Sequence, residues 1–356
     1  MASTIAFECL QHDLERRPDM NDVLSRLQII DTDQNCKSKA SEFAGHGELH
    51  SNEETSRNGS TPRFPHDRPP VFFFGRVPRP YDLDDLLHAS AEVLGTSRYS
   101  TTYKVTLESG TVLAVKRLRC PSSPEREFRD KAAEIGGIDH PNVVPLQAYC
   151  FSKDEKLMVY EYVAMGSLFS MLCENRGFEQ SSLSWESRRR IALATARGLE
   201  HIHATGSRVI HGNIKSSNIL LSQTVDARVA EHGIAHLFDP EAVEPSSGVG
   251  YHAPEVEEDP RKLSHKSDVY SFGVLLLELL TGEMPTPNED LPLWVRWSMV
   301  EEEWTSKLFD DELLGEPGAE EGMMEMLQLA FDCTADLPDK RPAMPEILGR
   351  LAEQTL

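Results

Sequence analysis

Short apolar strands come early in the chain, and longer helical segments come late. The runs Thr111–Lys116 and Leu157–Tyr160 are short and rich in β-branched and aromatic residues, which is typical of strands. The segments Trp185–His203, Lys266–Thr281 and Gly322–Cys333 have the period or the length of helices. Strands followed by helices predict an α+β fold with a small β-sheet lobe and a larger helical lobe.

The segment Val269–Leu280 is apolar on all sides, which is typical of a buried core helix. Its richest run, Val274–Leu280, is broken by Glu278. No run in the chain approaches the ~20 residues that span a bilayer, so we expect no membrane span. The first residues also lack the basic start and long apolar centre of a signal peptide.

The N-terminal part of the chain reads differently from the rest. Residues 31–70 contain few large apolar side chains and many Ser, Asn, Glu and Pro, so we predict a disordered linker, placed at 31–75. Phe7–Leu27 aligns without gaps on Phe331–Leu351, with Phe, Cys, Arg-Pro, Met and the final Leu-x-Arg-Leu in common. We interpret residues 1–30 as an orphan helical fragment. It is either a relic of a duplicated or fused gene, or a second helix that docks in cis or on a partner.

Charge and cysteine usage narrow the function classes. The chain has 36 Lys+Arg against 58 Asp+Glu, a net charge of −22. Nucleic-acid phosphates and anionic lipid surfaces repel such a chain, so neither is expected as a general partner. The six cysteines are scattered without a C-x-x-C pair, which argues against a disulfide scaffold or a cysteine zinc site. A reducing compartment, and hence a cytoplasmic location, is expected.

Six sequence blocks that follow one another in a fixed order carry the candidate chemistry. They are Ala114-Val115-Lys116, His211–Asn218 (HGNIKSSN), Glu231-His232-Gly233, Ala253-Pro254-Glu255, Asp268–Gly273 (DVYSFG) and Lys340-Arg341-Pro342. In this order and spacing they resemble the signature set of protein kinases.

The match can be narrowed to one group of kinases. The stretches DLDDLLHASAEVLG (82–95) and SFGVLLLELLTG (271–282), with HGNIKSSNILL (211–221), resemble the cytoplasmic kinase domain of plant leucine-rich-repeat receptor-like kinases. The resemblance implies a bilobal protein-kinase-like fold, with an N-lobe and its N-terminal extension at 76–163 and a C-lobe at 164–356.

The resemblance also implies a nucleotide site. ATP would contact Leu94, Gly95, Ala114, Lys116, Glu161, Val163 and Asn218, and Mg²⁺ would contact Asn218 and Glu231. The glycine-rich frame G-x-G-x-x-G reads Gly95-Thr96-Ser97-Arg98-Tyr99-Ser100, so its second and third glycines are serines. A side chain stands where the backbone should approach phosphate, so we expect weak or no ATP binding.

The lysine partner is also changed. In the family pattern Lys116 pairs with a glutamate on the following helix, at the position nine residues before His140. That position is Lys131, whose charge would repel Lys116. Glu127 and Glu134 lie about one turn to either side and would substitute if the helix were shifted. The alternative for Lys131 is an outward surface lysine.

The catalytic loop departs further from the family pattern. Asn213 occupies the position of the catalytic base, where an amide cannot accept the substrate proton, and such bases contribute about 10²–10⁴-fold. Gly212 replaces the preceding arginine, while Lys215 and the metal-type Asn218 remain. Asn213 and Lys215 are therefore the candidate catalytic positions, the first of them substituted.

The metal-binding aspartate is replaced by Glu231, and the following phenylalanine by His232. Glutamate is one methylene longer, and Mg²⁺ demands near-ideal octahedral geometry at about 2.0–2.1 Å, so we expect Glu231 to be misplaced for the metal. Relaxed selection at a disused site is favoured here over a new metal ligand.

Residues that keep the fold survive where residues that perform the chemistry have changed. Glu255 and Arg341 match the family's buried ion pair, which is destabilising to break. We therefore predict a pseudokinase that acts as a signalling scaffold or regulator, with other receptor kinases or signalling proteins as partners and recruitment to the plasma membrane through a partner. The alternatives are a low-activity ATP-dependent Ser/Thr kinase and a non-functional duplication product.

Three further features carry weaker expectations. Ser246 and Ser247 are the hydroxyl phospho-acceptors of the segment before Tyr251. The acidic residues Glu301–Glu303 and Asp310–Glu312 are expected to form a solvated face. The tryptophans Trp294, Trp297 and Trp304 are expected to pack in the helical lobe.

Overall fold

The structure, a computed structural model, describes ten segments of the chain. They are residues 69–75, 80–97, 100–119, 124–152, 155–174, 183–207, 209–238, 250–286, 290–299 and 308–353. The orphan fragment 1–30, most of the predicted linker, Ser246, Ser247, Glu301–Glu303 and Trp304 lie outside these residues. The interpretations of those positions stay predictions.

The strands of the described residues form two sheets. They are β1 (Val71–Phe73), β2 (Ser90–Thr96), β3 (Ser100–Thr106), β4 (Val112–Leu118), β5 (Leu146–Phe151), β6 (Lys156–Glu161), β7 (Ile219–Leu221) and β8 (Ala227–Val229). The larger sheet has the order β1-β5-β6-β4-β3-β2, and β7 and β8 form a separate antiparallel pair. The two strands predicted from the sequence correspond to β4 and β6 and are confirmed.

The strand β1 lies at the end of the range assigned to the linker. It pairs antiparallel with β5, with Val71 opposite Cys150, and the ring of Phe72 stacks on Tyr149 at 5.0 Å between centroids. Cross-strand aromatic pairs of this kind stabilise a sheet edge. Residues 71–73, which lie inside the range 31–75 assigned to the linker, therefore form a strand.

The described residues form eight α-helices, two of which have fewer than eight residues. They are α1 (Leu83–His88), α2 (Glu125–Gly136), α3 (Trp185–Ala204), α4 (Pro254–Glu258), α5 (His265–Thr281), α6 (Leu291–Ser298), α7 (Ala319–Cys333) and α8 (Met344–Glu353). Single turns of 3₁₀ helix lie at Ser216–Asn218, Ile234–Leu237, Pro260–Lys262 and Pro338–Lys340. The three helices predicted from the sequence correspond to α3, α5 and α7 and are confirmed.

Local capping residues set the limits of the central helix α5. Ser264 accepts a hydrogen bond from the Ser267 backbone while Ser267 bonds back, so this capping box begins the helix. Gly282 has φ +67 and ends it in the left-handed conformation that favours glycine. Every residue from Ser267 to Thr281 is buried, as the all-round apolar pattern predicted.

The chain divides into two compact units. The first contains the described residues up to Thr96 together with 100–117 and 148–159, and the second contains 118–147 and 160–353. The core of the first unit includes Leu86, Tyr103 and Val115. The core of the second surrounds α5. Helix α2, which the sequence places in the range 76–163, belongs to the second unit.

Across the described residues, no helix combines the length and the apolar character needed to cross a bilayer.

Candidate nucleotide site and catalytic loop

The candidate lysine lies on a strand of the first unit and has a polar partner there. Lys116 is on β4 and only 4% exposed, and its Nζ donates a hydrogen bond to Ser100 Oγ at 3.0 Å. Ser100 begins β3 and stands at the third glycine position of the sequence frame. A buried ammonium requires such partners. The serine side chain therefore contacts the group that the family pattern assigns to phosphate.

The other nucleotide candidates of the first unit lie on β2 and β4. Leu94 and Gly95 are exposed, next to a register shift between β2 and β3 at Val93–Gly95. Ala114 is half-buried on β4, two residues before Lys116. Ala114 therefore lies on the strand that the sequence predicted, and Leu94 and Gly95 lie on β2.

Two more nucleotide candidates lie in the second unit, Glu161 as the last residue of β6 and Val163 just after it. Glu161 is half-buried, and its Oε2 forms an ion pair with Arg228 Nη1 at 2.9 Å. Val163 is buried. The Arg228 contact joins this segment to strand β8.

The catalytic loop is held by a buried carboxylate of α5. Asp268 Oδ2 accepts from the His211 backbone at 2.8 Å and bonds His203 Nε2 at 2.9 Å, and Asp268 Oδ1 accepts from the Gly212 backbone at 2.9 Å. Burial raises the pKa of Asp268, but His203 and the backbone donors outweigh it and lower that pKa. The carboxylate is therefore ionised and fully engaged in positioning the loop.

His211 and Asn218 fix the rest of the loop around Asn213. His211 Nε2 donates to the Ala230 carbonyl at 2.9 Å, so its Nδ1 is free to accept from the Asn213 backbone at 3.1 Å. Asn218 Nδ2 donates to the Asn213 carbonyl at 2.8 Å. This pattern needs a neutral imidazole, and burial lowers the pKa of His211 accordingly. The loop is formed, but the side chain at its centre is an amide.

The substituted arginine position has a backbone that suits its new residue. Gly212 has φ +75, in the left-handed region where side chains are strained. Lys215, the second catalytic candidate, is half-buried. The pKa of His252 is lowered, first by the burial of His252 and second by the positive charge of Lys215. Lys215 therefore lies beside the segment that leads into α4.

Glu231 has an unusual backbone at the metal position. Its φ is +67, one of two positive values among the described residues other than glycine. The preceding Ala230 backbone donates to the Asn218 carbonyl at 2.8 Å, which brings Glu231 next to the loop of Asn213 and Asn218. Burial and then the charge of Glu231 raise the pKa of Tyr160. The second unit thus gathers the substituted base position and both metal candidates.

The histidine in place of phenylalanine is buried and turned toward α2. His232 is 1% exposed, and its Nε2 donates to the Ile135 carbonyl at 3.3 Å, while its Nδ1 has no hydrogen-bond partner among the described residues. Burial and then His211 lower the pKa of His232 to about 4. A neutral ring in an apolar position therefore ties helix α2 to the Glu-His-Gly turn.

Lys131 is not the outward surface lysine that was one alternative. Its side chain is 15% exposed and binds Glu134 Oε1 at 2.8 Å. A methyl group on Gly233 would lie 3.6 Å from Lys131 Cε, so the lysine stem runs along the turn that follows His232. Glu134, one of the two candidates to replace the missing partner of Lys116, is thus held by Lys131 on the same helix.

The pair that was expected to keep the fold is formed. Arg341 donates from Nη1 to Glu255 Oε1 at 2.6 Å and from Nη2 to Glu255 Oε2 at 2.8 Å, in the bidentate geometry that favours strong pairing. Burial raises the pKa of Glu255, but the arginine outweighs it and lowers that pKa. The ion pair predicted from the motif is confirmed.

Sequence reasoning missed a buried polar group behind the loop. Tyr251 Oη donates to Glu278 Oε2 at 2.6 Å and lies 3.1 Å from Ser216 Oγ. Burial raises the pKa of Glu278 to about 7, and its Oε1 has no hydrogen-bond partner among the described residues. The sequence feature that could have indicated this buried group is Glu278 itself, a single glutamate inside the apolar run of α5.

The expectation of a solvated acidic face at Asp310–Glu312 is corrected. Asp310 is 4% exposed and binds Arg188 Nη2 at 2.8 Å, and half-buried Glu312 binds the same nitrogen at 2.9 Å. Arg188 itself is fully buried on α3. These two carboxylates therefore neutralise a core arginine instead of facing solvent. Only Asp311, which lies between them in sequence, is exposed.

The donor set for a cation is small. Within the described residues, no group of three or more His, Cys, Asp or Glu side chains is placed to hold a metal ion. Asn218 and Glu231 offer one amide oxygen and one carboxylate, which suits Mg²⁺ only when nucleotide phosphates complete the coordination. Asn218 and Glu231 alone do not complete the octahedral coordination that Mg²⁺ requires.

Comparison with known proteins identifies relatives of this arrangement. Residues 88–350 match the protein kinase domain. Two curated proteins of Arabidopsis thaliana, "Probable inactive receptor kinase At1g48480" and "Probable inactive receptor kinase RLK902", are each 49% identical to this chain. The matches cover 79% and 80% of this chain but only 44% and 45% of the relatives. The chain thus spans less than half the length of these proteins.

Two solved structures resemble the fold. The pseudokinase domain of BIR2, an immune regulator of the RLK/Pelle family, matches with a TM-score of 0.69 and 34% identity over 81% of this chain and 90% of that one. The maize SIRK1 kinase domain bound to AMP-PNP matches with a TM-score of 0.72 and 32% identity over 80% of this chain and 100% of that one. One neighbour is a pseudokinase domain and the other is a kinase domain that holds a nucleotide analogue. The likeness in fold therefore does not distinguish an inactive domain from an active kinase, and the residues of the candidate site carry that distinction.

Proposed function

We propose that this chain, which belongs to the protein kinase domain family and has a domain of the receptor-like kinase type, is a pseudokinase. We further propose that it binds ATP weakly or not at all. In this role the folded domain serves as a scaffold or regulator that contacts other signalling proteins. The observation that carries the proposal is a catalytic loop that is formed around Asn213 and therefore has an amide at the position of the base.

The buried carboxylate of α5 that holds the loop, Asp268, does not replace the missing base. Asp268 binds two backbone N–H groups and His203 through its two oxygens, and its lowered pKa keeps it ionised in that role. Asn213 has an amide side chain that cannot take up a proton at neutral pH. Loss of general-base catalysis costs about 10²–10⁴-fold in rate.

Nucleotide affinity is weakened at the lysine. Phosphoryl transfer depends on positioning and charge, and Lys116 is the retained cation for the phosphates. Its Nζ is hydrogen-bonded to Ser100 Oγ, so a phosphate must displace or share that contact. The family's fold holds ATP and Mg²⁺ in general. In this chain Asn218 and Glu231 would hold the metal, whose charge would support the phosphates.

The position on α2 that should orient Lys116 carries a positive charge instead of the negative charge of the family glutamate. Lys131 stands at the position of the family glutamate and binds Glu134 on its own helix. Reassigning Glu134 to Lys116 would break this ion pair and leave the mostly buried Lys131 without its partner. The Lys131–Glu134 ion pair on α2 therefore opposes the use of Glu134 as a partner of Lys116.

The relatives support a proposal for the partners and the location of the domain. The two curated relatives reported above both carry the words inactive receptor kinase in their names. By this likeness the domain works on the cytoplasmic side, beside other receptor kinases or signalling proteins, and reaches the plasma membrane through such a partner. The net charge of −22 supports a protein partner over an anionic lipid surface.

A low-activity Ser/Thr kinase is the second candidate function. It is favoured by the retained Lys116 and Asn218 and by the carboxylate of Glu231, which keeps the charge of the metal-binding aspartate.

A thermal-shift titration with ATP, with and without Mg²⁺, separates the two candidates. For the pseudokinase we expect no shift, or a shift only at millimolar nucleotide, because affinity is weakened at Lys116. A saturable micromolar response that requires Mg²⁺ and is lost in Lys116→Ala contradicts the proposal. Arg117→Ala on the same strand is the matched control, because Arg117 pairs with Glu155 in the same unit.

A further inference from the structure

Two large apolar side chains stand exposed on one face of α6. Leu293 is 50% exposed and Trp297 is 70% exposed, and they are four residues apart, so they are neighbours on the helix surface. The other side of the helix is buried through Leu291 and Val295. Among the described residues, a helix that is apolar on both sides and buried on only one leaves the other face without a covering partner. The expectation that Trp297 packs in the helical lobe is therefore wrong. Trp294 is half-buried and packs against the core of the second unit.

Two carboxylates lie at the N-terminal end of the same helix. Asp290 is exposed and caps α6, where its Oδ1 accepts from the Leu293 backbone at 3.0 Å. Glu257 is exposed on α4, and burial and then the charge of Asp290 raise the pKa of Glu257. Two like charges close enough to perturb each other destabilise the isolated domain slightly.

The cations near these carboxylates are bound elsewhere. Lys262 pairs with Glu258 at 3.1 Å, and Arg341 pairs with Glu255. Arg296 donates to the Thr334 carbonyl at 3.0 Å and lies over the ring of Phe331. In the described part of the chain, neither Asp290 nor Glu257 takes part in an ion pair. Their negative charge therefore remains available to a partner.

We propose that the α6 face, formed by Leu293, Trp297, Asp290 and Glu257, docks a basic amphipathic segment of a partner protein. Exposed tryptophans are the side chains that most often dominate binding energy once a partner covers them. Lysine or arginine on the partner would relieve the repulsion between the two carboxylates. This docking requires only the folded domain, and it does not depend on the loss of phosphoryl transfer.

The charge of the chain selects this occupant over two others. A second copy of the chain would bring another net charge of −22 to the same surface. An anionic membrane would likewise be repelled. A helix that lays apolar side chains against Leu293 and Trp297 while placing cations near Asp290 and Glu257 matches both features of the face.

The test uses the full chain and a labelled synthetic helical peptide of about 18 residues, with leucine along one face and lysine along the other, measured by fluorescence anisotropy at about 0.15 M salt. A peptide of the same composition in scrambled order, which has no apolar face, measures non-specific attraction to an acidic protein. We expect saturable binding of the amphipathic peptide that exceeds binding of the scrambled peptide by at least about tenfold, or about 1.4 kcal/mol.

Surface variants then locate the binding. The double variant Leu293→Ser/Trp297→Ser should weaken binding at least about tenfold, and Glu257→Gln/Asp290→Asn should reduce both the affinity and its dependence on salt. Leu337→Ser, which changes a leucine that is 63% exposed but lies outside α6, is the matched control and should have no effect. Unchanged melting temperatures verify that each variant is folded.

Three results would overturn the docking proposal. The first is equal binding of the amphipathic and scrambled peptides, and the second is binding that Leu293→Ser/Trp297→Ser leaves unchanged. The third is a concentration-dependent dimer that disappears in the same variant, because the α6 face would then be covered by a second copy. Nucleotide titrations of these variants report on the proposed pseudokinase function separately.

Discussion

Lys116 Nζ donates a hydrogen bond to Ser100 Oγ at 3.0 Å, across neighbouring strands β4 and β3 of the first unit. The serine that replaces a phosphate-binding glycine therefore contacts the lysine that remains. A hydrogen bond to a charged group is worth about 1.5–3 kcal/mol. The lost glycine and the hydrogen-bonded lysine, which we propose weaken nucleotide binding together, are therefore one structural feature.

Ser100→Gly should release this contact and increase nucleotide affinity. We expect ATP to bind about tenfold more tightly, which corresponds to about 1.4 kcal/mol, because the phosphate no longer competes with the hydroxyl. The measurement is isothermal titration with ATP. Ser109→Gly, in the exposed turn between β3 and β4, is the control and should leave the affinity unchanged. An affinity that Ser100→Gly lowers would show that the serine assists binding.

His232→Phe should stabilise the fold. The ring is buried with Nδ1 unpaired, so removing that nitrogen offsets the loss of one long hydrogen bond to Ile135, and we expect a gain of about 1 kcal/mol in the free energy of unfolding. The contrast is His211→Phe, because both nitrogens of His211 are hydrogen-bonded, and it should destabilise by about 1–3 kcal/mol. Chemical denaturation measures both. Equal destabilisation by the two variants would contradict the role given to His232.

Glu278 should make stability depend on pH. Its pKa is about 7 in the fold against an ordinary value of 4.5, so the fold favours the protonated form, and this contribution is present below pH 4.5 and is lost as pH rises through 7. The loss amounts to at most about 3 kcal/mol. Glu278→Gln keeps an acceptor for Tyr251 and should flatten the profile between pH 4.5 and 8. Exposed Glu320→Gln on α7 should leave the profile unchanged. A slope that persists in Glu278→Gln assigns the titration to another group.

The Glu255–Arg341 pair should be costly to break from one side. Glu255→Ala leaves the buried guanidinium without its bidentate partner, and we expect a loss of about 3–5 kcal/mol in unfolding free energy. The double variant Glu255→Met/Arg341→Met should lose less than the sum of the single variants, since it leaves neither charge buried alone. Denaturant unfolding of the full cycle measures the coupling, and strict additivity would contradict an ion pair of structural importance.

The sequence predicted the elements better than the contacts between them. Apolar period and length are local properties, so α3, α5 and α7 could be recognised from the residues alone. The fate of Lys131 could not, because its side chain is directed by the turn at Gly233, which is distant in sequence. Asp310 and Asp311 are adjacent and chemically identical, yet only Asp310 meets the buried Arg188. Trp297 could not be recognised as exposed because aromatic residues in a helical region usually pack.

The most direct test of the central claim measures transfer of the γ-phosphate from radiolabelled Mg·ATP to the chain itself and to a generic Ser/Thr substrate protein. We predict no transfer above background for the natural sequence and for Lys116→Ala alike. Reintroducing the changed groups in Ser100→Gly/Lys131→Glu/Asn213→Asp/Glu231→Asp is expected to raise transfer above that background, since the fold-keeping residues are intact. Transfer by the natural sequence that requires Mg²⁺ and disappears in Lys116→Ala would contradict the assignment as a pseudokinase.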